Sequence, residues 1–370
     1  MNMDIKNFLK EMKKIQTNLI DYLDHEDNKG EKYQNLINLF DEIKIHGDHM
    51  KIKPLLYLIL NISNNCHRKS EFLGKIFSIL QLFKEEMKKY FSNIELFHIF
   101  KSNKRLLLFL HEENMITMDE SIVNKIRNNK KYKNEKYQQY FQPEIQSFNN
   151  EKNELPDNFY EKRKIGENDN EICKIIQKDL VKDFIIYINK NCCQVNSTIN
   201  SSIYETNNFL LKKEYVECKE ISLIEYAAFF GSIQIFNYLF LNGAEIKPSL
   251  WIYAVHGQNP DIIHCLEANK ILPSQKDNVT FEQIFYESIK CHHINIANYI
   301  LNNYLQNEIE YSNDTLINSL KYYNFMFIQS DIVNETSFYY LCKYDHYLLT
   351  LLLLKKIDID INKKQIYIGL

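Results

Sequence analysis

Glycine is scarce in this chain. Eight glycines occur among 370 residues, at positions 30, 47, 74, 166, 231, 243, 257 and 369, and no two lie closer together than Gly231 and Gly243. Phosphate-cradling loops need closely spaced glycines, because backbone N–H groups must approach the phosphate where side chains would block them. The spacing therefore excludes P-loop and dinucleotide-binding fingerprints. Proline is also rare, at six, and both scarcities favour long stretches of helix. Long apolar runs are missing as well. The best, Leu348–Leu354, is interrupted by Thr350 and falls short of the roughly 18 residues a membrane-spanning helix requires. Neither sign of charge dominates: 45 Lys and Arg face 48 Asp and Glu, for a net charge of −3. Such a balance gives no long-range field to attract nucleic acid or an anionic membrane.

What is present is globular. Hydrophobic residues make up 45% and charged residues 25%, enough to bury a sizeable core, and the length exceeds one ordinary domain. The amino-terminal stretch MNMDIKNFLKEMKKI is charged and amphipathic, without the apolar segment of a secretory signal. Eight cysteines are then expected as reduced thiols in a cytoplasmic protein.

The pattern along the chain predicts three segments. Residues 1–142 read as a helical amino-terminal domain. Ile5, Phe8, Leu9, Met12, Ile15, Leu19, Ile20 and Leu23 share one helical face, and Tyr33, Leu36, Ile37, Phe40 and Ile43 repeat the rhythm. Pro54 is placed to start a helix before LLYLILNI, and a long amphipathic helix is expected from Ser70 through KKYF. Shorter helices follow near Ile94–Phe100 and Arg105–Glu113. Residues 143–170 are polar and charged, carry Pro143, Pro156 and Gly166, and read as a charged linker. Residues 171–370 repeat.

The clearest unit of the repeat is SLIEYAAFFGSIQIFNYLFLNGAE, Ser222 to Glu245. Ser222 with Glu225 forms a capping box, small Ala227 and Ala228 allow close helix approach, Gly231 turns the chain, and Gly243 ends the second helix. Two short helices with one apolar seam need stacked neighbours to bury it. Aligned on the small residue before the turn, Ala227, Ala254 and Ser288 correspond. So do Ile235, Ile262 and Ile296, and then Leu239, Leu266 and Ile300. A further copy from Thr336 places Leu341, Leu349 and Leu353 at the same offsets.

This unit resembles the ankyrin repeat, whose T-P-L-H start, double alanine, turn glycine and closing G-A recur about every 33 residues. Ser222, Ala227–Ala228, Gly231 and Gly243–Ala244 stand at those positions. More narrowly, the stretch from Ser222 to Glu267 followed by ESIKCHHINIANYI is similar to a divergent ankyrin subfamily without assigned function, expanded in some unicellular eukaryotes. DLVKDFIIYINKN resembles its degenerate first helix pair. The resemblance implies an all-α, ankyrin-type helical solenoid behind an α-helical amino-terminal domain, acting in protein–protein binding. The chain departs from the consensus in several places. Leu223 and Glu225 replace the usual Pro and His, and Gly243–Ser249 leaves no room for a β-hairpin finger. NKILPSQKDNVT has room for one, ending in a Thr280–Gln283 capping box. TLINSLKYYNFMFI looks like an eroded unit, and the chain stops at DINKKQIYIGL without a polar capping helix.

Candidate sites are few. Cys66–His67 and Cys291–His292–His293 lack the spacing of a four-ligand zinc site, and His293 falls at the ankyrin turn position, where a structural role is expected. HEENM at His111 lacks a second histidine, and no G-x-S-x-G occurs. No catalytic, metal or cofactor site is expected. KIRNNKKYKNEKYQQY, Lys125 to Tyr140, mixes basic and aromatic residues but reads first as solvated chain rather than an RNA-binding stretch. Trp251 matches a buried position. In ankyrin arrays the two residues before each turn face the concave groove. Here that set gives Phe229, Phe230, His256, Lys290, Lys343 and Tyr344 as the expected partner-binding residues, with solvent-facing aromatics as anchors. The expected function is a non-enzymatic scaffold or adaptor that binds a protein partner through this groove. The alternative is a self-assembling spacer whose uncapped end stacks on another copy.

Overall fold

The computed structural model describes residues 4–25, 30–65, 71–128, 135–149, 154–211, 220–273, 279–305, 307–331 and 333–356. The class is all-α: 23 α-helices and two two-residue strands form among these residues. The first seven helices are α1 (Ile5–Asp24), α2 (Glu31–Ile43), α3 (His49–Asn65), α4 (Phe72–Leu82), α5 (Lys84–Tyr90), α6 (Asn93–Phe100) and α7 (Lys104–Glu112). They are followed by α8 (Glu120–Asn128), α9 (Glu135–Tyr140), α10 (Gln142–Asn149) and α11 (Phe159–Ile165). Helix pairs then take over. These are α12 (Glu171–Gln177) with α13 (Val181–Lys190), α15 (Leu223–Phe230) with α16 (Ile233–Leu241), α17 (Leu250–Gly257) with α18 (Pro260–Ala268), and α19 (Phe281–Lys290) with α20 (Ile294–Tyr304). Short α14 (Asn208–Leu211) lies between strands β1 (Thr198–Ile199) and β2 (Ile221–Ser222), and α21 (Asn313–Tyr322), α22 (Phe338–Lys343) and α23 (Tyr347–Lys356) close the chain.

The contacts group into two compact units, Met1–Leu58 with Asn307–Leu370, and Ile59–Gln306. In the first, Asp4 accepts from the Asn7 N–H to start α1, which buries the expected face apart from half-buried Ile20. Buried Gln16 donates to Asn324 Oδ1 at 2.8 Å and accepts from the Phe325 N–H at 2.7 Å, so both its nitrogen and its oxygen stay hydrogen-bonded out of water. The stretch expected as an eroded unit lies here. After α21 the chain makes only a 3-10 turn, Phe325–Phe327, where a second helix would run. Leu341, Leu349 and Leu353 are all buried. The carboxyl-terminal residues 357–370, on which the self-stacking alternative rests, lie outside the described residues.

Two helix expectations change. α3 starts at His49 rather than at Pro54, which sits inside it; Pro lacks an N–H, so the Met50 carbonyl loses its usual donor four residues on. The long helix expected from Ser70 is two helices. They break at Phe83 (φ −102°, ψ 14°), whose N–H bonds back three residues to Leu80 while its ring is fully buried.

In the second unit the helix pairs stack in register. The first helices of the pairs pack in the order α12, α15, α17, α19, and the second helices in the order α13, α16, α18. Ala227, Ala254 and Ser288 are wholly buried, as are Ile235, Ile262, Leu239, Leu266 and Ile300; Ile296 is half-buried. Both capping boxes, Ser222–Glu225 and Thr280–Gln283, form, and Gly231 takes the left-handed turn at φ 68°. Each turn is tied to its neighbour. Asp179 accepts from the N–H groups of Gln234 and Ile235, Asn259 donates to the Gly231 carbonyl, and Gln258 meets His293. Between Gly243 and Ser249 no strand forms, whereas β1 and β2 pair antiparallel with Thr198 opposite Ser222. Trp251 is core, its indole N–H donating to the Ile271 carbonyl at 2.6 Å.

The segment read as a linker contributes buried groups. Phe159 and Arg163 on α11 are buried. Arg163 Nη1 reaches both Glu144 oxygens at 2.9 and 2.8 Å and the Tyr140 carbonyl at 3.2 Å. Tyr137 and Tyr140 of the basic stretch are buried too, which removes them as stacking platforms for nucleic-acid bases.

Candidate partner-binding face

The first helices of three successive pairs bring Phe229 (α15), His256 (α17) and Lys290 (α19) side by side, because each occupies the same place before its turn. The close approach of α15 and α17 is set by Gly257. A Cβ there would fall 2.0 Å from the Ala228 carbonyl oxygen, so only glycine fits.

At the centre lies a buried polar network. His256 Nε2 is 2.7 Å from Glu287 Oε1, and Lys290 Nζ donates to the same oxygen at 2.7 Å. Cys291 Sγ lies 3.5 Å from His256 Nδ1 and 3.6 Å from Nε2. Burial pushes the Glu287 carboxyl up, but Lys290 and His256 outweigh it and hold it down to about 2. Burial dominates at His256 and pushes its imidazole down, against the upward pull of Glu287 and the Asn65 backbone. Glu287 is thus the fixed negative charge, with Lys290 as its counter-ion.

The network is roofed by the chain itself. Residues 204–211 run across it as a strap. The Asn207 side chain accepts from the Phe209 N–H at 2.9 Å to begin α14, and the Thr206 hydroxyl donates to the Gly166 carbonyl at 2.7 Å. The half-buried Phe209 ring stacks on Phe229 (centroids 5.5 Å apart, 8° between planes) and lies 4.1 Å from the His256 ring. It meets Tyr253 edge to face at 5.1 Å, and Lys290 Nζ sits 5.5 Å from its centroid.

The expected site is therefore redrawn. Phe229 and His256 are buried, at 0% and 1% exposed, instead of solvent-facing, because the strap covers them. Phe230 is half-buried beside a neighbouring cleft, and Lys290 keeps partial exposure. Lys343 and Tyr344 belong to the other unit, where Lys343 is exposed and its ammonium lies 5.5 Å from the Tyr339 and Tyr344 rings. Sequence reasoning missed Glu287 and Phe209. Glu287 had a signal in its i, i+3 spacing from Lys290; Phe209 had only a short apolar run after two asparagines.

His256, Glu287 and Cys291 also offer metal-donor atoms within 4.8 Å of one another. An ion there would have to displace two hydrogen bonds from Glu287, so the group is already satisfied as a network. Cys291 is 0% exposed, and a nucleophile has to meet its substrate. Cys66–His67 lies outside the described residues. Among the described residues no helix is long and apolar enough to cross a membrane. Comparison with family models, curated proteins and solved structures finds no match to this chain.

Proposed function

We propose that this protein is a non-enzymatic interaction module, a divergent ankyrin-type solenoid that holds a protein partner against the face of its first helices. The observation that carries this reading is the convergence of Phe229, His256 and Lys290 from three successive hairpins onto one face. That face already accommodates an aromatic side chain, Phe209, between stacked rings and an ammonium group. Aromatic anchors in desolvated pockets supply most of the energy of typical interfaces, and a preorganised repeat surface loses little entropy on binding. The partner engages the accessible edge of the face, at Phe230 and Lys290, and its own aromatic side chain extends the stack that Phe209 begins.

Affinity capture with the intact chain, run in parallel with a Phe230→Ser variant of unchanged helical content, tests this. At least one protein is expected to be retained by the wild type and reduced tenfold or more by the variant. Identical sets of captured proteins would count against the face as a docking site.

A further inference from the structure

The cleft beside the strap holds a buried cation whose one ion pair, to an exposed carboxylate, is too long for a hydrogen bond. Arg105 on α7 is 5% exposed, yet its Nε and Nη1 atoms have no hydrogen-bond partner. Its nearest carboxylate among the described residues is that of Glu112, 3.9 Å from Nη1 and itself 45% exposed. Arg163 provides the contrast, because it has Glu144 and the Tyr140 carbonyl to itself. Burial and then the nearby Arg163 charge both push the Arg105 pKa down, against the pull of Tyr140 and Glu112. A guanidinium keeps its proton in proteins, so it cannot escape this cost by becoming neutral. Buried charges are ordinarily paired.

The surroundings are built around this side chain. Its guanidinium carbon lies 4.8 Å from the centre of the Phe77 ring. Gly166, at φ 76°, leaves the room its stem needs, because a Cβ there would come 3.2 Å from Arg105 Cδ. Asn64, Asn103 and Thr206 line the same cleft. So do Glu205 and Glu167, but they do not supply the missing charge. Burial pushes Glu205 up to about 7 and Glu167 upward as well, and no ion pair joins either to Arg105. Glu205 instead accepts from the Asn207 N–H at 2.7 Å, and the unsatisfied Nε and Nη1 of Arg105 donate to neither carboxyl.

We infer that this cleft binds a small molecule carrying an oxyanion, a carboxylate or a phosphate, with the Arg105 guanidinium as its principal contact. The planar fork of arginine matches either anion bidentately.

Thermal unfolding of the full chain, followed with inorganic phosphate or succinate and with sodium chloride at matched ionic strength, provides the test. The wild-type midpoint is expected to rise saturably with one probe and not with chloride. Phosphate alone acting assigns a phosphate ligand, and succinate alone a carboxylate. Arg105→Met, which removes the buried charge and its unsatisfied N–H groups and keeps the stem, should lose the response. Arg105→Lys keeps the charge without the fork, and should lose at least tenfold in probe affinity by calorimetry even if the methionine variant folds poorly. A wild-type midpoint indifferent to both probes, or variants that respond as the wild type does, would overturn the assignment.

Discussion

Replacing Gly257 by alanine is expected to destabilise the second unit by about 3 kcal/mol or more, at the upper end of overpacking effects. The sign is the informative part. Gly257 is the last residue of helix α17, and a glycine-to-alanine change within an exposed helix ordinarily stabilises by about 1 kcal/mol. Here the new methyl would sit 2.0 Å from the Ala228 carbonyl oxygen, 2.9 Å from the Gly231 nitrogen and 3.1 Å from Gly231 Cα. All three are backbone atoms, so no side chain can rotate away, and α15 and α17 must separate. Gly74 in α4 is the control. A Cβ there meets nothing within 4 Å, so Gly74→Ala should raise stability by about 1 kcal/mol. Urea midpoints for the two variants should move in opposite directions; midpoints shifting together would show that α15 and α17 are not packed as described.

Glu287→Gln carries the second large effect. The substitution leaves Lys290 and His256 on a buried site without their shared carboxylate, and breaking such a pair costs about 3 kcal/mol. The pH dependence has a definite sign. The Glu287 carboxyl is held down to about 2 in the folded chain, against an ordinary value of 4.5, so its contribution is complete above pH 4.5 and is lost as pH falls toward 2. His256 is also depressed below its ordinary 6.5. It takes up a proton on unfolding, and stability falls as pH drops below 6.5. Wild type and Glu287→Gln should differ most at neutral pH and converge between pH 4.5 and 2 in urea titrations. A gap that stays constant across that range would show that Glu287 is not the charge holding the network.

The helix-pair rhythm was legible because it is local. Ala227, Ile235 and Leu239 fall within one unit, their period follows helix geometry, and Ser222 with Glu225 marks the start in four residues. The lack of a hairpin between Gly243 and Ser249 was readable for the same reason, since Pro248 and Ser249 follow too soon for one. What the sequence did not reveal depends on distant pairing. Glu287 meets His256 across 31 positions, and nothing in either unit alone announces a buried ion pair. Phe209 reaches Phe229 only because β1 and β2 close the loop that carries it. Phe229, His256 and Lys290 do lie side by side, but Phe229 and His256 are buried where exposed side chains were expected. Arg163 and Tyr140 looked like solvated linker because their composition is polar; their partners, Glu144 and each other's carbonyls, are set by folding.

The reading turns on whether a partner uses the face beside the strap. Hydrogen exchange of the intact chain, free and bound to a protein recovered by the capture comparison, tests this most directly. Binding should slow exchange in residues 204–211 and at the carboxyl ends of α15, α17 and α19, next to Phe230, His256 and Lys290. Protection confined to α13, α16, α18 and α20, with the strap unchanged, would contradict it.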